Sequence, residues 1–130
     1  MHFIFGGRYM GMLEYALELQ PGAVVCDLAH DAAENIAAAG IVCGVHLLVR
    51  QLLESGGEPL LFFEQSVPAL RGKILIGDEV GSGVVPVEPF ERLWRDEVGR
   101  VYQLLARNAP DVTRVWAGIP QPLKRGGAPA

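Results

Sequence analysis

Short apolar runs and longer helix-length stretches alternate along this chain. His2 to Phe5, Ala23 to Cys26, Lys73 to Gly77 and Asp111 to Ala117 have the length and apolar content of buried strands, and the last of them reads as the final strand. Met12 to Gln20 sets Leu13, Ala16 and Leu17 on one helical face and stops at Pro21-Gly22. Asp31 to Leu53 reads as helix throughout, with alanines at 32, 33, 37, 38 and 39 and with Gly40 and Gly44 spaced for close packing; an all-round apolar helix must be buried. Leu60 to Gln65, after Pro59, fits a short helix or a strand. Pro89 opens a helix to about Asn108 in which Glu88 and Arg92, Glu91 and Arg95, and Asp96 and Arg100 are acid-first i,i+4 pairs, each worth ~0.2–0.5 kcal/mol. Strands alternating with helices imply an α/β fold with a small, mostly parallel sheet, and any ligand at the carboxyl ends of its strands.

Composition narrows the partners. At 130 residues the chain makes one domain, residues 1–124, while the tail 125–130 has nothing to bury and is expected to be disordered. Half the residues are apolar and mean hydropathy is +0.25, so subunit contacts are expected to cover part of that surface. The net charge of −4 and the scattered Lys and Arg give no footprint for nucleic acid or anionic lipid. Met1 to Phe5 is too short for a signal peptide, and the apolar tract Ile36 to Val49 falls short of the ~20 residues that span a bilayer, so a cytoplasmic protein is expected. Cys26 and Cys43 fit reduced buried thiols.

Two glycine-rich corners carry the candidate chemistry. The first strand runs into Gly6-Gly7-Arg8-Tyr9-Met10-Gly11-Met12-Leu13 and then a helix. Gly6 and Gly11 have the spacing of a Walker A loop, whose backbone N–H groups cradle phosphates while a Lys reaches the β- and γ-phosphates and a Ser or Thr holds Mg²⁺. Here those two side chains are Met12 and Leu13, which removes the cation and the metal-bearing oxygen that phosphoryl transfer uses. The backbone of residues 6–11 either still binds an anion or is a plain strand-to-helix turn. Asp27, ending the second strand, fits a Walker B acid or a helix cap. The second corner is Asp78-Glu79-Val80-Gly81-Ser82-Gly83, where two acids and a Gly-x-Gly turn follow Ile74-Leu75-Ile76. The candidate nucleotide-binding set is therefore Gly6, Gly7, Arg8, Gly11, Asp27, Asp78, Glu79, Gly81 and Gly83, with no catalytic residue and no metal ligand assigned. His30 fits a surface or capping group and His46 a core or interface histidine.

Three spaced blocks lift the second corner above a bare Gly-x-Gly turn. Glu79-Val80-Gly81-Ser82-Gly83-Val84-Val85-Pro86, then Trp94-Arg95-Asp96 through Gly99 and Gln103 to Ala106, then Val115 to Lys124 with Gly118, Pro120 and Leu123, run in order. The stretch from Gly77 to Lys124 resembles the C-terminal part of the CobU-type adenosylcobinamide kinase/adenosylcobinamide-phosphate guanylyltransferase family. The resemblance implies a P-loop NTPase-like, RecA-like three-layer fold, a helix at Leu60 to Gln65, a homotrimer, ATP or GTP as nucleotide, a cobinamide as ligand, and a place around cobalamin biosynthesis. Asp27 and Asn35 keep a spacing found in that family. Against its pattern, Asp78 and Tyr102 stand where asparagines are usual, and the segment bearing the guanylylated histidine has no counterpart between Leu19 and Val24. The reading that results is a catalytically degenerate nucleotide- or corrinoid-binding, or regulatory, relative. The rivals are an adenosylcobinamide kinase with a rebuilt phosphate site and a non-catalytic oligomeric assembly module.

Overall fold

A computed structural model describes residues 1–81 and 83–130; Ser82, inside the Gly-x-Gly turn, lies outside the described residues. The elements run β1 (His2–Gly6), α1 (Met12–Leu19), β2 (Val25–Asp27), a 3₁₀ turn at Ala33–Ala38, β3 (Ile41–Cys43), α2 (Val45–Glu54), α3 (Pro59–Ser66), β4 (Ile74–Asp78), α4 (Pro89–Asn108), β5 (Asp111–Trp116), β6 (Ile119–Arg125) and β7 (Ala128–Pro129). They build one sheet in the order β2-β3-β4-β1-β5-β6-β7, parallel from β2 through β5 and antiparallel beyond. The fold is thus α/β with a mostly parallel sheet, of the P-loop NTPase-like kind, and the loop-bearing strand β1 sits at its centre.

Alternation along the strands divides the core into two layers. Phe3, Val42, Leu75 and Val112 are paired across neighbouring strands and face α2, α3 and α4 with Val45, Phe63, Val101 and Leu105. Ile4, Ile41, Ile74, Ile76 and Val115 face the other way, onto α1 with Met12 and Ala16. Helices therefore cover both faces, which is why β1, β3 and β4 read as nearly unbroken apolar runs.

Three expectations from sequence are overturned here. Asp31 to Leu53 is not one helix: a strand, Ile41-Val42-Cys43, crosses it, and Gly44 at φ 90° turns the chain into α2. That left-handed φ favours glycine, and Gly40 and Gly44 flank a strand where helix packing was expected. The chain does not end its sheet at Ala117, because Ala117-Gly118 forms a hairpin into β6. The tail expected to be disordered pairs back on it, Lys124 with Pro129 and Arg125 with Ala128.

The charge pairs expected along α4 are also replaced. Arg50 of α2 grips Glu91 through two hydrogen bonds, at 2.7 and 3.1 Å, a fork that a flexible i,i+4 neighbour does not match. Arg92 donates to the Pro86 and Val87 carbonyls, and Arg100 pairs with Glu97 at 2.7 Å. The helix at Pro59–Ser66 and the start of α4 at Pro89 stand as expected, each with proline in its first turn, where the missing N–H costs nothing. No helix among the described residues is long and apolar enough to cross a membrane.

Candidate functional site

The carboxyl ends of β1 to β4 open onto a cavity of about 680 Å³. Arg8 to Gly11 of the β1–α1 loop, Met12, Leu13 and Glu14 of α1, Asp27, Cys43, His46, Asp78, Glu79 and Trp94 line it. Of the nine candidate residues, Arg8, Gly11, Asp27, Asp78 and Glu79 converge there. Gly6 and Gly7 are not among its lining residues, Gly81 borders a separate cleft with Arg95 and Tyr102, and Gly83 is exposed.

The loop is built as a scaffold and fastened to the β5–β6 hairpin. Gly11 caps α1 at φ 90°, and a side chain there would crowd Gly118. Gly118 N–H donates to the Met10 carbonyl at 2.8 Å, and the Gly6 carbonyl accepts from Glu79 N–H at 2.8 Å. Tyr9 holds φ 63°, a conformation that a non-glycine residue keeps only when its surroundings impose it. Sequence alone places Met12 in the position of a phosphate-facing side chain. Only 7% of it is exposed, and it packs with Ile4, Ala16, Ile76 and Val115. Met12 is therefore part of the core beneath α1, while Leu13 is half-buried against the same cluster.

The acids differ in what holds them. Asp27 closes a turn, its Oδ1 accepting from Ala29 N–H at 3.0 Å while its own N–H donates to Asp31 at 2.8 Å; it caps no helix as one expectation had it, since the next helical turn begins at Ala33. Glu79 is gripped by Arg114 at 2.7 and 3.2 Å, and that guanidinium stacks on Trp116. Asp78 is fixed through its backbone: Tyr102 donates its hydroxyl to the Asp78 carbonyl at 2.6 Å, and Asp78 N–H donates to His46 Nδ1 at 3.2 Å. The far ring nitrogen, His46 Nε2, faces Asp78 Oδ2 at 3.5 Å. Trp94 then ties the His46 carbonyl down at 2.8 Å, and Arg50 lies over the Trp94 ring.

This geometry sets protonation. Because Nδ1 accepts a backbone N–H, the neutral His46 ring carries its proton on Nε2. Burial, only partly opposed by Asp78, holds the His46 pKa below the ordinary value of 6.5. Burial also pushes the Tyr102 hydroxyl well up, so it remains a donor, and raises Cys43 to about 12, so the thiol in the cavity wall is no nucleophile at neutral pH. His2, half-buried beside Thr113 at 2.8 Å, is lowered as well by that burial. The unfolded chain therefore binds protons on both histidines before the native state does. Stability should be full above pH 6.5 and fall as the pH drops below it toward the lowered native values, a loss that chemical denaturation at a series of pH values will read and that His46→Gln should reduce.

Sequence reasoning missed His46, Tyr102, Trp94 and Arg114 as parts of this site. For His46 the available signal was Ile-Val-Cys framed by Gly40 and Gly44, which delivers position 46 to a strand end. For Arg114 there was none, since its partner lies 35 residues away.

A family model described as cobinamide kinase / cobinamide phosphate guanyltransferase, CobU, matches residues 50–123. Over 75 residues the chain is 39% identical to the bifunctional adenosylcobalamin biosynthesis protein CobP of Pseudomonas aeruginosa, an alignment covering 57% of this chain and 42% of that protein. The chain thus matches less than half the length of that relative. The matched stretch holds the β4 corner, α4 and the β5–β6 hairpin, whereas the β1–α1 loop, Asp27 and His46 precede it.

Proposed function

Since the chain belongs to the cobinamide kinase / cobinamide phosphate guanyltransferase family, we propose that it serves adenosylcobalamin biosynthesis as a ligand-binding relative that does not transfer phosphoryl groups, and that the ligand in its strand-end cavity is a corrinoid of the cobinamide type. The observation that carries this reading is the burial of Met12 in the core beneath the loop, with Leu13 beside it. A magnesium-bound nucleotide needs a cation and a hydroxyl at those two positions, and the residues present do not fit it. The charge of the cavity points the same way. Glu14, Asp27, Asp78 and Glu79 line it against the single guanidinium of Arg8, with Glu79 neutralised by Arg114. A polyanionic nucleotide is repelled by such a wall, while a corrinoid, with its cationic cobalt centre and carboxamides, is not.

Isothermal titration tests this choice. Cobinamide is expected to bind with an affinity unchanged by EDTA, and ATP and GTP to bind at least ~30-fold more weakly, the equivalent of one lost charge-assisted contact at ~2 kcal/mol. Tight nucleotide binding that depends on Mg²⁺ contradicts the reading. The guanylyltransferase reaction is expected to be absent, and an acid-labile label on His30 or His46 after incubation with labelled GTP would show otherwise.

Self-association belongs to the same proposal. Trp116, Ile119 and Leu123 on the β5–β6 hairpin, with Val84, Val85 and Val87 on the turn before α4, expose large apolar surface. Light scattering at micromolar concentration should give a mass above the 14.0 kDa of one chain, consistent with a trimer; a monomer removes the claim.

A further inference from the structure

We propose that the Asp78 carboxylate is the cavity's acceptor for an N–H or O–H group of the ligand, and that His46 is the positioning residue that aims it. The inference rests on the reading of the strand-end cavity as a ligand site and adds the group that the ligand must present there.

His46 and Asp78 make a closed two-point contact. The backbone N–H of Asp78 goes to Nδ1, and the side-chain oxygen Oδ2 faces Nε2. The neutral ring accepts the Asp78 N–H at Nδ1 and turns its Nε2–H side toward Oδ2, an electrostatic approach longer than a hydrogen bond, and Nδ1 is not left to act as a base or nucleophile. What the pair leaves for a ligand is the carboxylate: 27% of the Asp78 side chain is exposed, and among the described residues it has no other polar partner. Of the other acids in the wall, Glu79 is committed to Arg114 and Asp27 to its own turn, while Glu14 on α1 has no polar partner among the described residues and lacks the fixed frame that Asp78 has. With its backbone fixed at N–H and carbonyl and its Oδ2 facing the ring, Asp78 is pre-oriented, so a donor that meets it pays less ordering entropy than one meeting a free side chain.

The frame behind the pair is rigid. Tyr102 fixes the Asp78 carbonyl and Trp94 the His46 carbonyl, both from α4, so the orientation is set by the helix packed behind the site. The ligand class follows from the acceptor: a carboxamide, an amine or a hydroxyl, and not a phosphate or carboxylate oxygen. The arrangement also carries a pH limit. Protonation of Nδ1 would set two donors against each other where Asp78 N–H now points. The charged groups around the ring are Asp78 from β4, Asp27 from β2 and Arg8 from the β1–α1 loop; burial, aided by Arg8, outweighs the two acids, which favour the charged ring.

The test titrates cobinamide, and guanosine as a neutral hydroxyl- and amide-bearing second probe, into the full chain and its Asp78→Asn, His46→Ala and His46→Gln variants from pH 5 to pH 8. Folding of each variant is checked by its amide spectrum. Asp78→Asn is expected to weaken the binding probe about 10-fold at every pH, the loss of one charge-assisted hydrogen bond. Wild-type binding should weaken as His46 gains its proton. His46→Ala should lose affinity, while His46→Gln, whose amide also offers one acceptor and one donor, should restore most of it and remove the pH dependence. Ring nitrogen spectra should show the Nε2–H form of His46 at pH 7. Cobinamide binding that is indifferent to Asp78→Asn, or an Nδ1–H or charged ring at pH 7, overturns this inference and leaves the functional reading standing. Guanosine binding with the expected Asp78 dependence, and no cobinamide binding, overturns the corrinoid reading and leaves the inference. Binding of neither probe overturns both.

Discussion

Gly77→Ala should unseat Tyr102 and take with it the corner that bears Asp78. A methyl group at position 77 would overlap the Tyr102 hydroxyl and ring carbons. Tyr102 meets the Phe3 ring edge-on at 5.0 Å and packs against the main core, so it can yield only toward the cleft it shares with Gly81 and Arg95, giving up those contacts. The substitution thus forces out a buried aromatic side chain and breaks its hydrogen bond to the Asp78 carbonyl. Overpacking of this kind with a lost buried partner costs about 3–5 kcal/mol, which at roughly 4 °C per kcal/mol for a domain of this size lowers Tm by about 12–20 °C. Because the clash is with one side chain, the loss is conditional on it. Gly77→Ala with Tyr102→Ala should be several kcal/mol less destabilised than the sum of the two single changes, and additivity would refute the contact.

Gly6→Ala should be as damaging and should have no such remedy. Its added methyl would overlap the carbonyl oxygen of Val115 in the neighbouring strand, a backbone atom that cannot turn aside. Relief requires β1 and β5 to separate at the strand end where the β1–α1 loop begins and where the Gly6 carbonyl holds Glu79 N–H. A loss of about 4 kcal/mol or more is expected, with early hydrogen exchange at Val115 and Glu79. A variant within ~1 kcal/mol of wild type would mean that the loop does not seat against β5 as described. Gly6 and Gly77 are thus needed for backbone and ring approach, and neither acts by touching a ligand.

How far the sequence was legible follows from which signals are local. The strands at His2, Ile74 and Asp111 and the helix from Pro89 are local patterns of apolar period and proline position, and each stands where the pattern puts it. Ile41-Val42-Cys43 was hidden because three residues between alanine-rich flanks carry the same apolar content in a buried helix as in a buried strand; only the glycines on either side separate the two. β6 was hidden by Pro120 and Pro122, which argue against a central strand and are tolerated here because little of β6 is paired on its outer side. At the site, Asp78 and Glu79 were legible as acids leaving an apolar strand. The partners that decide their roles, His46 and Arg114, are long-range contacts, and no spacing announces them. Lys124, part of the last family block, donates to the Ala106 and Arg107 carbonyls at the end of α4, so its place in that pattern is accounted for by helix capping.

The proposed function depends on Met12 and Leu13 standing in the β1–α1 corner where phosphoryl transfer uses a lysine and a hydroxyl. The most direct measurement is phosphoryl transfer itself: purified protein, labelled ATP or GTP, Mg²⁺ and adenosylcobinamide, with product followed over hours. The account predicts no phosphorylated corrinoid above the protein-free control. Turnover near ~1 per second, the lower range of ordinary kinases, would contradict it and require another cation to stand in for the position that Met12 holds in the core.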